Sequence, residues 1–157
     1  MFSFLKREKK LLSVANGRII GLNKVPDQVF SQKILGEGFG VIPTQGHFFS
    51  PVNGTVTDVT DTLHAYCITS HDGLEILVHI GIDTVELKGE GFTSLVKKGD
   101  TISAGDELAH ADLELLKEKG YSTVSVVVIT NTENLREFKV LEAQSSKAGN
   151  PAMIYKT

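Results

Sequence analysis

Several features are scarce in this 157-residue chain, and each scarcity removes a class of protein. Cysteine occurs once, as Cys67, so no internal disulfide can form and a reducing compartment is the natural setting. Cys67 lies in an apolar run, where a lone thiol is expected to be an inert small hydrophobe. No apolar stretch approaches the ~20 residues needed to span a bilayer as a helix. Met1–Lys10 is too short in its apolar part, and ends too polar, to be a secretory signal. Excess positive charge is missing as well: the net charge is −3, so no basic face argues for nucleic acid. A cytoplasmic protein is the expectation. A phosphate-cradling loop is also missing. Gly36, Gly38 and Gly40 in GEGFGV have Val41 where a dinucleotide fingerprint needs a small residue, and no Gly-Lys-Ser/Thr follows. The segment reads as a strand-entry turn.

What is present is the punctuation of a β protein. From Val14 onward, short strand-like runs are cut by Gly, Pro, Asn and Asp. Strands are expected over 18–22, 40–42, 54–58, 64–69, 74–80, 108–111, 123–130, 137–141 and 154–156. With no long helices between them, the sheets should be antiparallel, giving an all-β sandwich or squashed barrel. One helix is expected after Asp112, which can cap it, ending at Gly120. Residues 131–135 suggest one further turn. SPVNGTVTDV and LVKKGDTISAGDELA echo one another as strand, glycine turn, strand, a pattern shared with lipoyl and biotinyl carrier domains.

A chain this long can bury ~70% of its unfolded surface in one core. Residues 13–157 are therefore expected to form a single domain. Residues 1–12, with Phe2, Phe4 and Leu5 followed by Lys6, Arg7, Lys9 and Lys10, read as a flexible basic and apolar tail. At most that tail makes a weak contact with an anionic membrane surface.

The chemistry concentrates in residues 63–92. Two strand-like runs, HAYCIT and LEILVHI, flank Ser70-His71-Asp72-Gly73, and each carries one histidine, His64 and His79. A two-residue turn at His71-Asp72 would oppose His64 and His79 on one face, with Cβ atoms ~5 Å apart. A three-residue loop would send them to opposite faces. Two adjacent imidazoles fit a metal site, a nucleophile with a hydrogen-bonding helper, or chance. His47, His71 and His110 lack partners in the pattern and read as solvated.

GLEILVHIGIDTVELKGEGF, with DTLHAY before it, resembles the glucose-type enzyme IIA family (type-1 EIIA) of the bacterial phosphoenolpyruvate-dependent sugar phosphotransferase system. The likeness extends more loosely over VPDQVFSQKILGEGFGVIPT and VKKGDTISAGDELAHADLELLKEKG. It implies a duplicated hybrid-motif β-sandwich with one or two short helices. It implies that His79 accepts a phosphoryl group on Nε2 (a tele-phosphohistidine), that His64 stabilises that group, and that Thr62 orients His64. It also implies a donor, the phosphocarrier HPr, and an acceptor, a sugar-specific IIB domain. Val29, Phe30 and Leu35 match the apolar surface that receives partners. Asp83, alternatively a turn-stabilising residue, and Asp27 match anionic contacts for arginines on those partners. Glu86 and Lys88 are expected to pair or cap. Leu63 and Thr60 differ from some members but are not expected to touch the histidines or Thr62.

No metal or nucleotide is required for such a transfer. His64 and His79 could bind zinc only with a carboxylate from a partner. A zinc-dependent hydrolase is a rival, because related β folds include zinc peptidases that use an H-x-H and an H-x-x-x-D pair, but His79-Ile80-Gly81 lacks the first and His64 has Ile68 four residues on. A regulatory binding module of the same fold, acting on other protein targets, is the second alternative. A lipoyl or biotinyl carrier is disfavoured, since no lysine sits at a hairpin tip in the required context.

Overall fold

The computed structural model describes residues 8–157. Fourteen short strands account for most of the regular secondary structure among the described residues. They are β1 (Lys9–Leu12), β2 (Gly17–Gly21), β3 (Glu37–Pro43), β4 (His47–Phe49), β5 (Gly54–Val59), β6 (Ala65–Ser70) and β7 (Glu75–His79). The second half adds β8 (Phe92–Ser94), β9 (Thr101–Ile102), β10 (Glu107–Ala111), β11 (Ser125–Ile129), β12 (Glu137–Val140), β13 (Ala143–Ser146) and β14 (Pro151–Lys156). Two short helices, α1 (Gln28–Ser31) and α2 (Leu113–Glu118), complete it with three single 3-10 turns. Asp112 caps α2 through Leu115 N–H, and Gly120 beyond its end has φ 87°, as the sequence suggested.

Every strand pairing is antiparallel. An eight-stranded sheet runs in the order β13-β2-β3-β11-β7-β6-β5-β9, beside three-stranded sheets β1-β14-β12 and β4-β10-β8. This is the antiparallel β-sandwich class that the punctuation predicted. The echoing segments lie side by side, because β5 pairs with β9. At the centre, β11 is buried along its whole length between β3 and β7. Gly38 lets that approach happen: a Cβ there would run into the Val127 backbone.

The tail boundary needs correction. Lys9–Leu12 are not tail but strand β1, paired to β14, and Leu11 is fully buried. Two leucines directly after two lysines were too short a signal to read as a strand. Residues 1–7, with the membrane-contact expectation, lie outside the described residues. Truncating Leu11 to alanine is expected to cost ~2–5 kcal/mol, the usual penalty for emptying a buried leucine site. Urea unfolding would show a lowered midpoint; an unchanged one would return Leu11 to the tail.

Candidate functional site

His79 ends β7, and the hairpin to β6 is built differently from the two-residue turn. Thr69 opposes Glu75, and Ser70 N–H bonds Leu74 O, which leaves His71, Asp72 and Gly73 as a three-residue loop. The residue opposite His79 is therefore Ala65, not His64. Regular alternation would then part the two histidines, but His64 stands just before β6, and Leu63 before it has φ 60°. That left-handed residue breaks the alternation. The imidazoles meet edge to face, ring centroids 4.8 Å apart.

Each ring is held at one nitrogen. His79 Nδ1 lies 2.8 Å from the carbonyl of Gly81. A carbonyl only accepts, so the neutral ring carries its proton on Nδ1 and presents a bare Nε2. Gly81 is itself clamped. Its φ is 74°, its N–H donates to Ser125 Oγ at 3.1 Å, and a Cβ would strike Thr84. Buried Thr84 donates in turn to Ile80 O at 2.5 Å. These supports follow His79 in I-G-I-D-T, where the glycine and threonine gave a signal that the sequence reading left unused.

His64 Nδ1 lies 2.7 Å from Thr62 Oγ1 and 3.4 Å from Thr60 Oγ1. Thr60 thus reaches His64, against expectation. The Thr60 hydroxyl donates to Ala65 O and accepts from Ala65 N–H, so its proton is committed to backbone. The Thr62 hydroxyl has no other partner among the described residues. A hydroxyl can donate to Nδ1 or accept from it; the donating direction puts the His64 proton on Nε2. The two rings then hold opposite tautomers, one offering a lone pair and the other an N–H.

Burial lowers the pKa of both imidazoles. For His64 it acts together with the charge of His79, and brings the value down to about 4. For His79 burial wins over the Gly81 hydrogen bond and the negative charges of Asp27 and Asp83, which pull upward. Both rings are neutral at pH 7. An NMR titration should find His64 protonating near pH 4 and His79 below the ordinary 6.5. Because the unfolded rings take protons near 6.5, the folded protein loses stability as pH falls from there towards 4.

The expected partner-contact residues separate into two kinds. Val29 and Leu35 are exposed apolar side chains, joined by Ile34 on the same segment and by Val85 in the turn after Asp83. Phe30 is instead buried, with its ring 5.1 Å from that of His79, so it supports the histidine rather than offering surface. Asp27 is partly exposed and caps α1, its Oδ1 accepting from Val29 N–H and Phe30 N–H. Asp83 is exposed, has φ 60° and makes no capping hydrogen bond, so its carboxylate is turned to solvent beside the site. Glu86 accepts from the Tyr121 hydroxyl, fitting its expected pairing.

Among the described residues no cluster of three His, Cys, Asp or Glu is arranged to hold a metal. At this site the two imidazoles, His64 and His79, are the nitrogen donors brought together. Its arrangement suits a neutral nitrogen nucleophile, a neighbouring N–H donor and an apolar rim with two carboxylates.

Comparison with known proteins converges on one family. A family model for the phosphoenolpyruvate-dependent sugar phosphotransferase system, EIIA 1, matches residues 9–135, beginning where β1 begins. The glucose-specific EIIA component of Halalkalibacterium halodurans is 43% identical over 148 residues, covering 94% of this chain and 86% of that protein. A glucose-specific EIICBA component from Streptococcus pneumoniae is 44% identical over 145 residues, 92% of this chain but 20% of that longer protein. Among solved structures, glucose permease IIA from Mycoplasma capricolum superposes with a TM-score of 0.89 at 36% identity, covering 96% of this chain and 97% of that one.

Proposed function

The chain belongs to the EIIA 1 family of the phosphoenolpyruvate-dependent sugar phosphotransferase system, and from that premise we propose that His79 is the residue on which its phosphoryl group rides. The protein is a phosphoryl relay of sugar transport, a phosphotransferase component. One observation carries the assignment to His79. The Gly81 carbonyl holds the Nδ1 proton, which leaves Nε2 free beside the ring of His64.

In this reading the donor is phospho-HPr. The Nε2 lone pair of His79 attacks phosphorus, a new N–P bond forms, and the bond to the donor nitrogen breaks, its electron pair staying with the donor. Phosphoryl transfer needs mainly positioning and charge stabilisation. Because Nδ1 keeps its proton, positive charge develops on the His79 ring as Nε2 bonds phosphorus. The Gly81 carbonyl and the carboxylates of Asp27 and Asp83 stabilise that charge; a hydrogen bond to a charged group contributes ~1.5–3 kcal/mol. The N–H of His64 donates to a phosphoryl oxygen, held in that tautomer by Thr62. The next transfer reverses the geometry: a nucleophile on a IIB domain attacks phosphorus and the electron pair returns to Nε2. The fused EIICBA relative, which joins the corresponding segments in one protein, supports a IIB acceptor.

Docking falls to the exposed Val29, Ile34, Leu35 and Val85, with Asp83 and partly Asp27 facing cations on the partner. Such a small rim fits transient encounters with two successive proteins. No cofactor takes part in the transfer; zinc would require a carboxylate from a partner to complete the set with His64 and His79. No helix among the described residues is long and apolar enough to cross a membrane, and the relay reading places the protein in the cytoplasm. Incubation with Enzyme I, HPr and labelled phosphoenolpyruvate should give an acid-labile, base-stable labelled protein that loses its label to a IIB domain. Labelling without HPr, or label stable to acid, would overturn the reading.

A further inference from the structure

A second pair of histidines lies outside the site described above, on the small β4-β10-β8 sheet. His47 on β4 and His110 on β10 are directly opposed in register, and both are exposed. Their ring centroids are 4.9 Å apart at an interplanar angle of 60°. His47 Nδ1 sits 2.8 Å from Glu107 Oε2.

Glu107 reaches that position through an irregularity in the strand. Residues three apart along a regular strand point to opposite faces. The pairing slips between Glu107 and Ala109, so that Glu107 opposes Phe49 while Ala109 opposes Phe48. The extra residue returns Glu107 to the face that holds His47 and His110. Bulges of this kind re-aim side chains. The carboxylate accepts from Nδ1–H, which fixes the neutral tautomer and turns the Nε2 lone pair of His47 outward. A carboxylate behind an imidazole is the arrangement that orients and strengthens histidine ligands of metals. The rings of His110 and His47 have no other partner among the described residues.

We propose that His47 and His110 form a two-imidazole site for a late first-row divalent cation, with Glu107 as the positioning residue for His47. Two nitrogens bound to one ion at ~2.1 Å stand about 3 Å apart in adjacent coordination positions, within reach of two facing rings through side-chain rotation. Imidazole favours nickel, copper and zinc over calcium or magnesium. With two protein ligands the remaining positions go to water, so the ion exchanges freely and binds more weakly than at a closed four-ligand site. The site is independent of the phosphoryl relay and uses none of its residues.

The test is a titration of the intact protein with Ni2+, followed by calorimetry and by 1H–15N NMR. One ion per chain is expected at this site, with paramagnetic broadening centred on His47 and His110. His110→Ala or His47→Gln should weaken binding more than tenfold. Glu107→Gln should weaken it by about tenfold, the low end of the effect of removing an outer-shell carboxylate. All three variants should still accept phosphate at the wild-type rate. Broadening centred on His64 and His79 alone, affinity unchanged in His110→Ala, or no binding at all would overturn the proposal. The broadening map is read on the wild-type protein and stands even if a variant fails to fold.

Discussion

His79→Ala is expected to take up no label at all from phospho-HPr while unfolding at a urea concentration close to that of the wild type. Nothing else in the site can substitute as the acceptor. His64 is the nearest imidazole, but in the proposed relay its Nε2 carries the proton that bonds the phosphoryl group, with Thr62 at its Nδ1, so no lone pair faces the incoming phosphorus. The other three histidines lie elsewhere: His47 and His110 on the small sheet, His71 in the hairpin loop. Loss is therefore absolute rather than partial. Residual label of even a few per cent, mapped to another residue by peptide mass spectrometry, would mean that acceptance is shared.

His64→Ala should behave otherwise. The nucleophile, its Gly81 clamp and its Phe30 support are untouched, so the variant still takes label. What it lacks is an oriented N–H at a phosphoryl oxygen. Removing one such donor typically costs ~10²-fold or more in rate. The loss should be most visible in transfer onward to IIB, measured as single-turnover decay of the phosphorylated variant on mixing with its acceptor. Thr62→Val, which keeps the ring but removes the hydroxyl that sets its tautomer, should reproduce part of that slowing. Unimpaired relay by His64→Ala would leave the second imidazole without a chemical role.

The sequence showed the fold class because strands in an antiparallel protein leave a local record. LEILVHI and the run ending in SVVVI are apolar and bounded by turn residues, and both became strands within a residue or two of their expected limits. Strands without that record were invisible. AQSS in β13 has no apolar alternation, and HFF in β4 is three residues long. Lys9–Leu12 carries a single buried side chain, which leaves no alternation to separate a strand from a tail. The pairing of His64 with His79 was legible as an outcome and not as a mechanism. Composition could not show that the loop has three residues, nor that Leu63 would adopt φ 60° and restore the contact. Thr60 and Gly81 went unread for a related reason: one contact is a hydroxyl four residues from its histidine, the other a backbone carbonyl, which carries no residue-type signal. Phe30 looked like surface because an aromatic beside Val29 reads the same whether its ring faces a partner or the underside of an imidazole. The histidines of the small sheet were missed because the bulge that gathers Glu107 beside them is a tertiary event.

The central claim is atomic: phosphorus bonds Nε2 of His79 because Nδ1 is held by Gly81. It is tested most directly by a long-range 1H–15N spectrum of the phosphorylated protein, whose ring couplings distinguish the two nitrogens. The account predicts phosphorus on Nε2 of His79, with Nδ1 still protonated and His64 unmodified. Phosphorus on Nδ1 of His79, or on either nitrogen of His64, would contradict it.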